Sequence, residues 1–238
     1  SQSVIYRQGG SGPVEECGVE NMRVISQNTG GTNEGHRWDC VHFIGARNCW
    51  AENVISEGFA ESGFRFTKTM RSTVLSCQAI DPVSQISGGR RYNFYVGEYS
   101  HDVLVKNSLA TKGRHCFVGN GAASVSGAVF SQCESRNAYA SSENHRRWGS
   151  GFLWDDIQWN SASAGTVLAL YNRGNWGTSH GWTGTGLVAW NISAPGKGII
   201  CSEPPVGQNF AIGCDAAISG YNYPVGHVEG TGQTLSIP

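Results

Sequence analysis

Ser72-Thr73-Val74-Leu75-Ser76-Cys77 and Asp102-Val103-Leu104-Val105-Lys106-Asn107 are two copies of one pattern, a short apolar strand closed by a small polar residue or cysteine. The pattern recurs at residues 21–26, 48–53, 128–133, 155–160, 186–191 and 209–214. Successive starts lie 27, 24, 30, 26, 27, 31 and 23 residues apart, a mean of about 27 and a solenoid spacing. The second and fourth residues of each copy are mostly apolar, the period-two alternation of a strand. The sixth is always Ser, Asn or Cys. Fixed-spacing leucines and a 3.6-residue period are both absent, which excludes leucine-rich and helical repeats. The step and the column together predict an all-β fold: a single-stranded, right-handed parallel β-helix of about eight coils, with residues 1–238 as one domain.

Equivalent residues of stacked coils lie ~4.8 Å apart. The side-chain amides of Asn53, Asn107, Asn160 and Asn191 are therefore expected to bond backbone groups that the turns leave open. Cys77, Cys133 and Cys214 share the column but alternate with asparagine, which predicts buried thiols rather than disulfides. The remaining five cysteines, Cys17, Cys40, Cys49, Cys116 and Cys201, allow two disulfides at most. No CxxC pair and no His/Cys spacing suggests zinc.

Composition narrows the function classes. Charged residues make up 15% of the chain, hydrophobic residues 39%, and glycine 33 of 238 positions. That is too apolar for disorder and too glycine-rich for a helical bundle. Seventeen basic against eighteen acidic side chains give a net charge of −1, so no global field attracts nucleic acid. No stretch approaches the ~18 uncharged apolar residues of a membrane span. Ser1-Gln2-Ser3-Val4-Ile5 lacks the basic head and apolar core of a signal peptide. The chain stops at Ser236-Ile237-Pro238 with no closing element, and no capping helix opens it. It reads as a piece of a longer secreted or cell-surface protein, with a flanking domain or subunit stacking on its open coil ends.

A β-helix buries its interior, so function belongs to its outward faces and turns. The longer parts of the repeats carry Gly88-Gly89-Arg90-Arg91-Tyr92, Lys112-Gly113-Arg114-His115, His145-Arg146-Arg147-Trp148, Asn172-Arg173-Gly174-Asn175-Trp176 and Ser179-His180-Gly181-Trp182. Arg91, His115, Arg147 and Arg173 fall at similar offsets within their repeats. They predict a basic strip edged by Trp and Tyr, suited to an acidic polysaccharide. Plainer roles compete: arginines as surface ion-pair partners, histidines as structural groups, and Trp148, Trp176 and Trp182 as lids over coil ends. The recurrence over four coils favours the strip.

The coil pattern resembles the right-handed parallel β-helix of the pectate-lyase-like superfamily over nearly the whole chain. The segment 81–92, with Gly113-Arg114-His115, His145-Arg146-Arg147-Trp148-Gly149-Ser150-Gly151 and His180-Gly181-Trp182, resembles a subgroup of large secreted bacterial β-helix proteins. The resemblance implies cleavage of a uronic-acid polymer by β-elimination. Arg91 and Arg147 would clamp the carboxylate, His145 or His115 would be the base, and Tyr92 the acid. Arg90, Arg173, His180, Trp148, Trp176 and Trp182 would bind substrate. The subgroup carries an acidic residue where Cys116 follows His115 here. A calcium-dependent variant needs clustered carboxylates, whereas Asp81, Glu98, Glu134 and Glu143 are scattered over the repeats, so no cofactor or metal is expected. Two other classes stay open: a non-catalytic adhesin, filament or glycan-binding module, and a glycoside hydrolase. The latter needs facing carboxylates, which the strand neighbours Asp155 and Asp156 cannot supply.

Overall fold

The computed structural model describes residues 3–4, 12–160 and 163–230. Expectations about the first and last residues fall on segments outside these, apart from the pair at 3–4. The chain winds as a parallel β-helix, with strands paired in parallel from coil to coil into one long sheet. Three faces follow one another in each turn. One holds Met70–Leu75, His101–Lys106, Val129–Ser131, Leu153–Asp155, Val188–Trp190, Phe210–Ile212 and His227–Glu229. The next runs through Gln78–Ile80, Leu109–Thr111, Glu134–Arg136 and Gln158–Asn160. The third, the site face, stacks Asp39–Ile44, Ser62–Thr67, Tyr92–Gly97, His115–Asn120, Ser142–Asn144 and Thr166–Leu170.

The corner between the first two faces explains the sequence column. Asn21, Asn53, Ser76, Asn107, Gln132, Asp156, Asn191 and Gly213 all have φ between 48° and 64°. Only the left-handed region turns the chain so sharply, and Asn, Asp and Gly tolerate it best. Gly230, at φ 64° and stacked on Gly213, is a ninth, so nine such corners follow one another among the described residues. From Ser76 to Gly213 each corner N–H donates to a carbonyl one coil further on, such as Asn107 to Ser131 at 3.1 Å and Asn191 to Ile212 at 2.9 Å. From Asn53 to Gly213, the next residue points inward: Val54, Cys77, Ser108, Cys133, Ile157, Ile192 and Cys214 are all buried, whereas Met22 after Asn21 is exposed. The single predicted column is thus two adjacent ones, asparagine at the corner and cysteine just after it. Copies 21–26 and 155–160 run past their corners onto the next face, so Asn160 lies in a strand and donates to Glu134 at 2.6 Å. Asn53 likewise bonds the Asn21 side chain, at 2.7 Å, rather than backbone.

The thiols fill the interior. All eight cysteines are free, and all but Cys17 are buried. Cys77, Cys133 and Cys214 each donate to a carbonyl of the preceding coil, those of Ala51, Val105 and Ala189, at 3.5–3.6 Å. Burial pushes the Cys77 thiol up to about 11 and Cys133 to about 12, so they stay protonated and inert. The core behind the site face is a ladder in register, Val41 followed by the rings of Phe64, Phe94 and Phe117. Ring centroids are 5.2 Å apart between Phe64 and Phe94, and 5.6 Å between Phe94 and Phe117. Burying each phenylalanine contributes roughly 1.5–3 kcal/mol, which makes this face a rigid platform. Among the described residues, no helix is long and apolar enough to cross a membrane.

Candidate functional site

The outward side of the site face carries the chemistry. Strand register sets Tyr92 beside His115 and continues Tyr95 through Val118 to Glu143. Glu143 and His145 are two residues apart at a strand end, so both turn outward. The next irregular segment, residues 172–182, folds back through an Asn172–Trp182 bridge and a short helical turn, Trp176–Ser179. It lowers Arg173 and His180 onto the same spot. Gly177 has φ 60° there, and a Cβ on it would run into the His180 ring.

Glu143 is fully buried and forms the hub. Its Oε1 meets Nδ1 of His145 at 2.5 Å and Nη1 of Arg173, and lies 3.3 Å from Nε2 of His115. Burial alone would raise its carboxyl. The surrounding His115, His145 and Arg173 overcome that and hold it down at about 2, so Glu143 is ionised. An ionised carboxylate only accepts, which fixes the hydrogen on Nδ1 of His145 and leaves a lone pair on Nε2. That lone pair faces Nε2 of His180 at 3.2 Å. His180 accepts the Thr178 N–H at Nδ1, 3.3 Å away, so its own Nε2–H caps His145. A relay therefore runs from Glu143 through His145 to His180.

Burial pushes all three histidines below their ordinary value, His115 to about 3 and His180 to about 4. They are neutral at neutral pH. His115 donates from Nδ1 to the Ser141 carbonyl at 2.5 Å, and its Nε2 finds no hydrogen-bond partner. His42, elsewhere on this face, is lowered to about 4 by burial. The unfolded chain protonates such groups near 6.5, so between 6.5 and 4 it binds more protons than the fold. Stability is then complete above about pH 6.5 and falls as pH drops toward 4, by ~1.4 kcal/mol per pH unit for each responding histidine. Urea midpoints near pH 7.5 and near pH 5 measure this; equal midpoints would contradict it.

Over the hub opens a cleft of about 380 Å³. Its walls include Tyr92, Arg114, Arg146, Arg173, His145 and His180, and no Asp or Glu lines it. Arg114 donates from Nη2 to the Tyr92 hydroxyl at 2.6 Å, leaving the phenolic hydrogen free to be donated. Burial raises the Tyr92 pKa, against the pull of Arg114, so the phenol is protonated. Arg146 is tied through Nε to Asn120 at 3.0 Å. Arg173 is spent on Glu143, so Arg114 and Arg146 supply the positive charge of a cleft lined by no carboxylate, which suits an anionic ligand.

The structure thus gathers His115, His145, Tyr92, Arg173 and His180, and sets other sequence candidates apart. Arg91 is buried and spends its guanidinium on the Ser84 carbonyl, at 3.1 and 2.5 Å. Arg90 makes a bidentate pair with Glu34 at 2.5 and 3.0 Å and stacks 5.3 Å over Trp38. Both hold the loop whose Gly88 and Gly89 wall the cleft, so they shape it without facing it. Arg147 donates to the Thr178 carbonyl at 3.1 Å and is likewise no wall of the cleft. Trp148, Trp182 and Tyr223 form a chain of ring contacts, at 6.4 and 4.8 Å, while Trp176 lies 5.6 Å from the Arg173 guanidinium.

Arg114, Arg146, Asn120 and the role of Glu143 were not legible as site features. The spacing Glu143-x-His145 was the one available signal, since strand residues two apart share a face. Cys116 points into the core, where Ser135 donates to it at 3.2 Å, and the carboxylate near His115, that of Glu143, comes from the next coil and orients His145 instead. His115, Glu143 and His145 also bring donor atoms within 4.8 Å of one another, the one such group among the described residues. Oε1 is already met by N–H groups of His145 and Arg173, an arrangement that suits a clamped carboxylate better than a cation. The carboxylates weighed for calcium do not converge: Asp81 pairs with Lys112, Glu134 with Arg136, and Glu98 approaches Arg146. The chain matches no known family, no curated protein and no solved structure.

Proposed function

We propose that this chain is an extracellular lyase of the pectate-lyase-like kind, cleaving a uronic-acid polysaccharide by β-elimination. One observation carries the reading: a neutral histidine on an ionised carboxylate, a protonated phenol and three guanidinium groups meet in one cleft that no carboxylate lines. Arg114 and Arg146 neutralise the uronate carboxylate, which acidifies the adjacent ring C–H. Displacement of His180 bares Nε2 of His145. That nitrogen takes the proton, the C–H electron pair becomes the ring double bond, and the glycosidic C–O bond breaks. The leaving oxygen receives the Tyr92 proton. Glu143 stabilises the imidazolium so formed, and Arg173 fixes Glu143. Solvent then takes the proton from His145 and reprotonates Tyr92.

The decisive experiment is incubation with a panel of acidic polysaccharides, following the ultraviolet absorbance of the new conjugated double bond. A rise with one polymer supports the lyase and names its substrate class. Binding without a rise overturns catalysis in favour of a glycan-binding module. The structural form of that module is the one that Arg90, Arg91 and Arg147 favour, since their guanidinium groups are all engaged within the protein. Neither binding nor a rise overturns the anionic-glycan assignment altogether. A hydrolase would need two carboxylates across the cleft, which its walls do not offer.

A further inference from the structure

Beside the cationic cleft lies a second one of about 270 Å³, and Arg173 is a wall of both. Its chemistry is different. Trp176 and Tyr221 expose 56% and 55% of their surface, and Tyr223 exposes 39%. Gathered round one cleft, these rings make a contiguous apolar patch of the kind that marks a ligand groove. Tyr171 closes the floor, its ring 6.2 Å from Tyr221 in an edge-on contact. Asn172 is spent internally, accepting the Gly174 N–H at 2.7 Å and donating to the Tyr223 hydroxyl at 2.9 Å. That bond fixes Tyr223 in the wall. Asn175 and Asn222, both exposed, add two neutral amides to the lining.

The charge balance of this second cleft is the key. Its lining includes no Asp, Glu, Lys or His, and one arginine, Arg173. The Nη1 of that arginine is committed to Glu143, so its charge is already compensated. What remains is aromatic faces with neutral amide and phenol groups at their edges. Ring faces pack against the C–H face of a pyranose, while amides and phenols pair with its hydroxyls. Nothing here rewards a carboxylate.

We infer that the cleft of Tyr171, Trp176, Tyr221, Asn222 and Tyr223 is a subsite for an uncharged sugar, next to the uronate held in the cationic cleft. The substrate class is accordingly a heteropolymer in which a uronate adjoins a neutral residue, rather than a polyuronate. This inference rests on the anionic-glycan reading for its neighbouring cleft. It adds that the two sugars are read separately, on either side of Arg173.

The test compares kcat/KM on two substrates, a polyuronate homopolymer and a polymer alternating uronate with an uncharged sugar. The wild type is expected to favour the alternating polymer by about tenfold or more, and Tyr221→Ala and Asn222→Ala to shrink that ratio toward one. A wild-type ratio near one overturns the subsite, as does a ratio that Tyr221→Ala leaves unmoved. If neither polymer is cleaved, the elimination reading has failed, and the same ratio is read from calorimetric affinities for oligosaccharides of the two polymers. Preference for the alternating oligosaccharide, lost in Tyr221→Ala, then still supports the subsite. Equal affinities, or no binding, overturn it.

Discussion

His145→Ala is expected to lower the rate of uronate elimination by about 10²–10⁴-fold, the usual loss when a positioned general base is removed. The size follows from the geometry. His145 bears the Nε2 lone pair that opens onto the cleft once His180 moves, and its Nδ1–H rests on Glu143 at 2.5 Å. That carboxylate favours the protonated ring that proton abstraction creates, whereas burial disfavours it. Burial wins in the free protein, so the base stays unprotonated below its ordinary value and the acid limb of kcat/KM lies below about pH 6.5. His180→Ala has a different signature. It removes the cap on Nε2 and one cleft wall, so its loss should fall on KM more than on kcat. The measurement is initial rate against pH for wild type and both variants on the polymer found in the panel. A His145→Ala enzyme within about threefold of wild type would remove His145 from the mechanism, and His115, whose Nδ1 is held by Ser141, offers no replacement facing the cleft.

Much of the scaffold was written in local chemistry. The left-handed corners select Asn, Asp, Ser, Gln or Gly, and the residue after each corner must be small or apolar to enter the core, so an imprint survives at a step of about 27 residues. The two copies read out of phase, 21–26 and 155–160, show the limit. Alternation alone does not mark where one face ends, and Asp156 turns the corner inside what reads as a strand start. The site was legible by residue type but poorly by partner. Arg90, Arg91 and Arg147 look like Arg173 in sequence, yet three are absorbed by Glu34, the Ser84 carbonyl and the Thr178 carbonyl, while Arg173 sits on Glu143. Side-chain direction on irregular loops depends on partners far away in sequence, and Glu34 lies 56 residues from Arg90. No periodicity carries that information.

Glu143→Ala is expected to cost roughly 3–5 kcal/mol of stability, because it strips a buried charge of its partner rather than removing a surface ion pair. Arg173 is nearly as buried as Glu143, its side chain 8% exposed against 0%. Alanine would leave that guanidinium facing Nδ1–H of His145 with no acceptor between them. Glu143→Gln keeps an acceptor oxygen and nearly the same volume, so its cost should be clearly smaller. The pair itself is a poor source of net stability, since desolvating both ions offsets most of their attraction. Glu143→Leu combined with Arg173→Met should therefore recover most of what either change loses alone. Urea unfolding of Glu143→Leu, Arg173→Met, the double variant and the wild type closes the cycle. Additive losses in the double variant would mean that the two residues act independently, and that the hub is not what orients His145. A double variant that refolds to near wild-type stability but has no eliminating activity would place Glu143 and Arg173 where the geometry does, as groups kept for the chemistry above them at the expense of the fold.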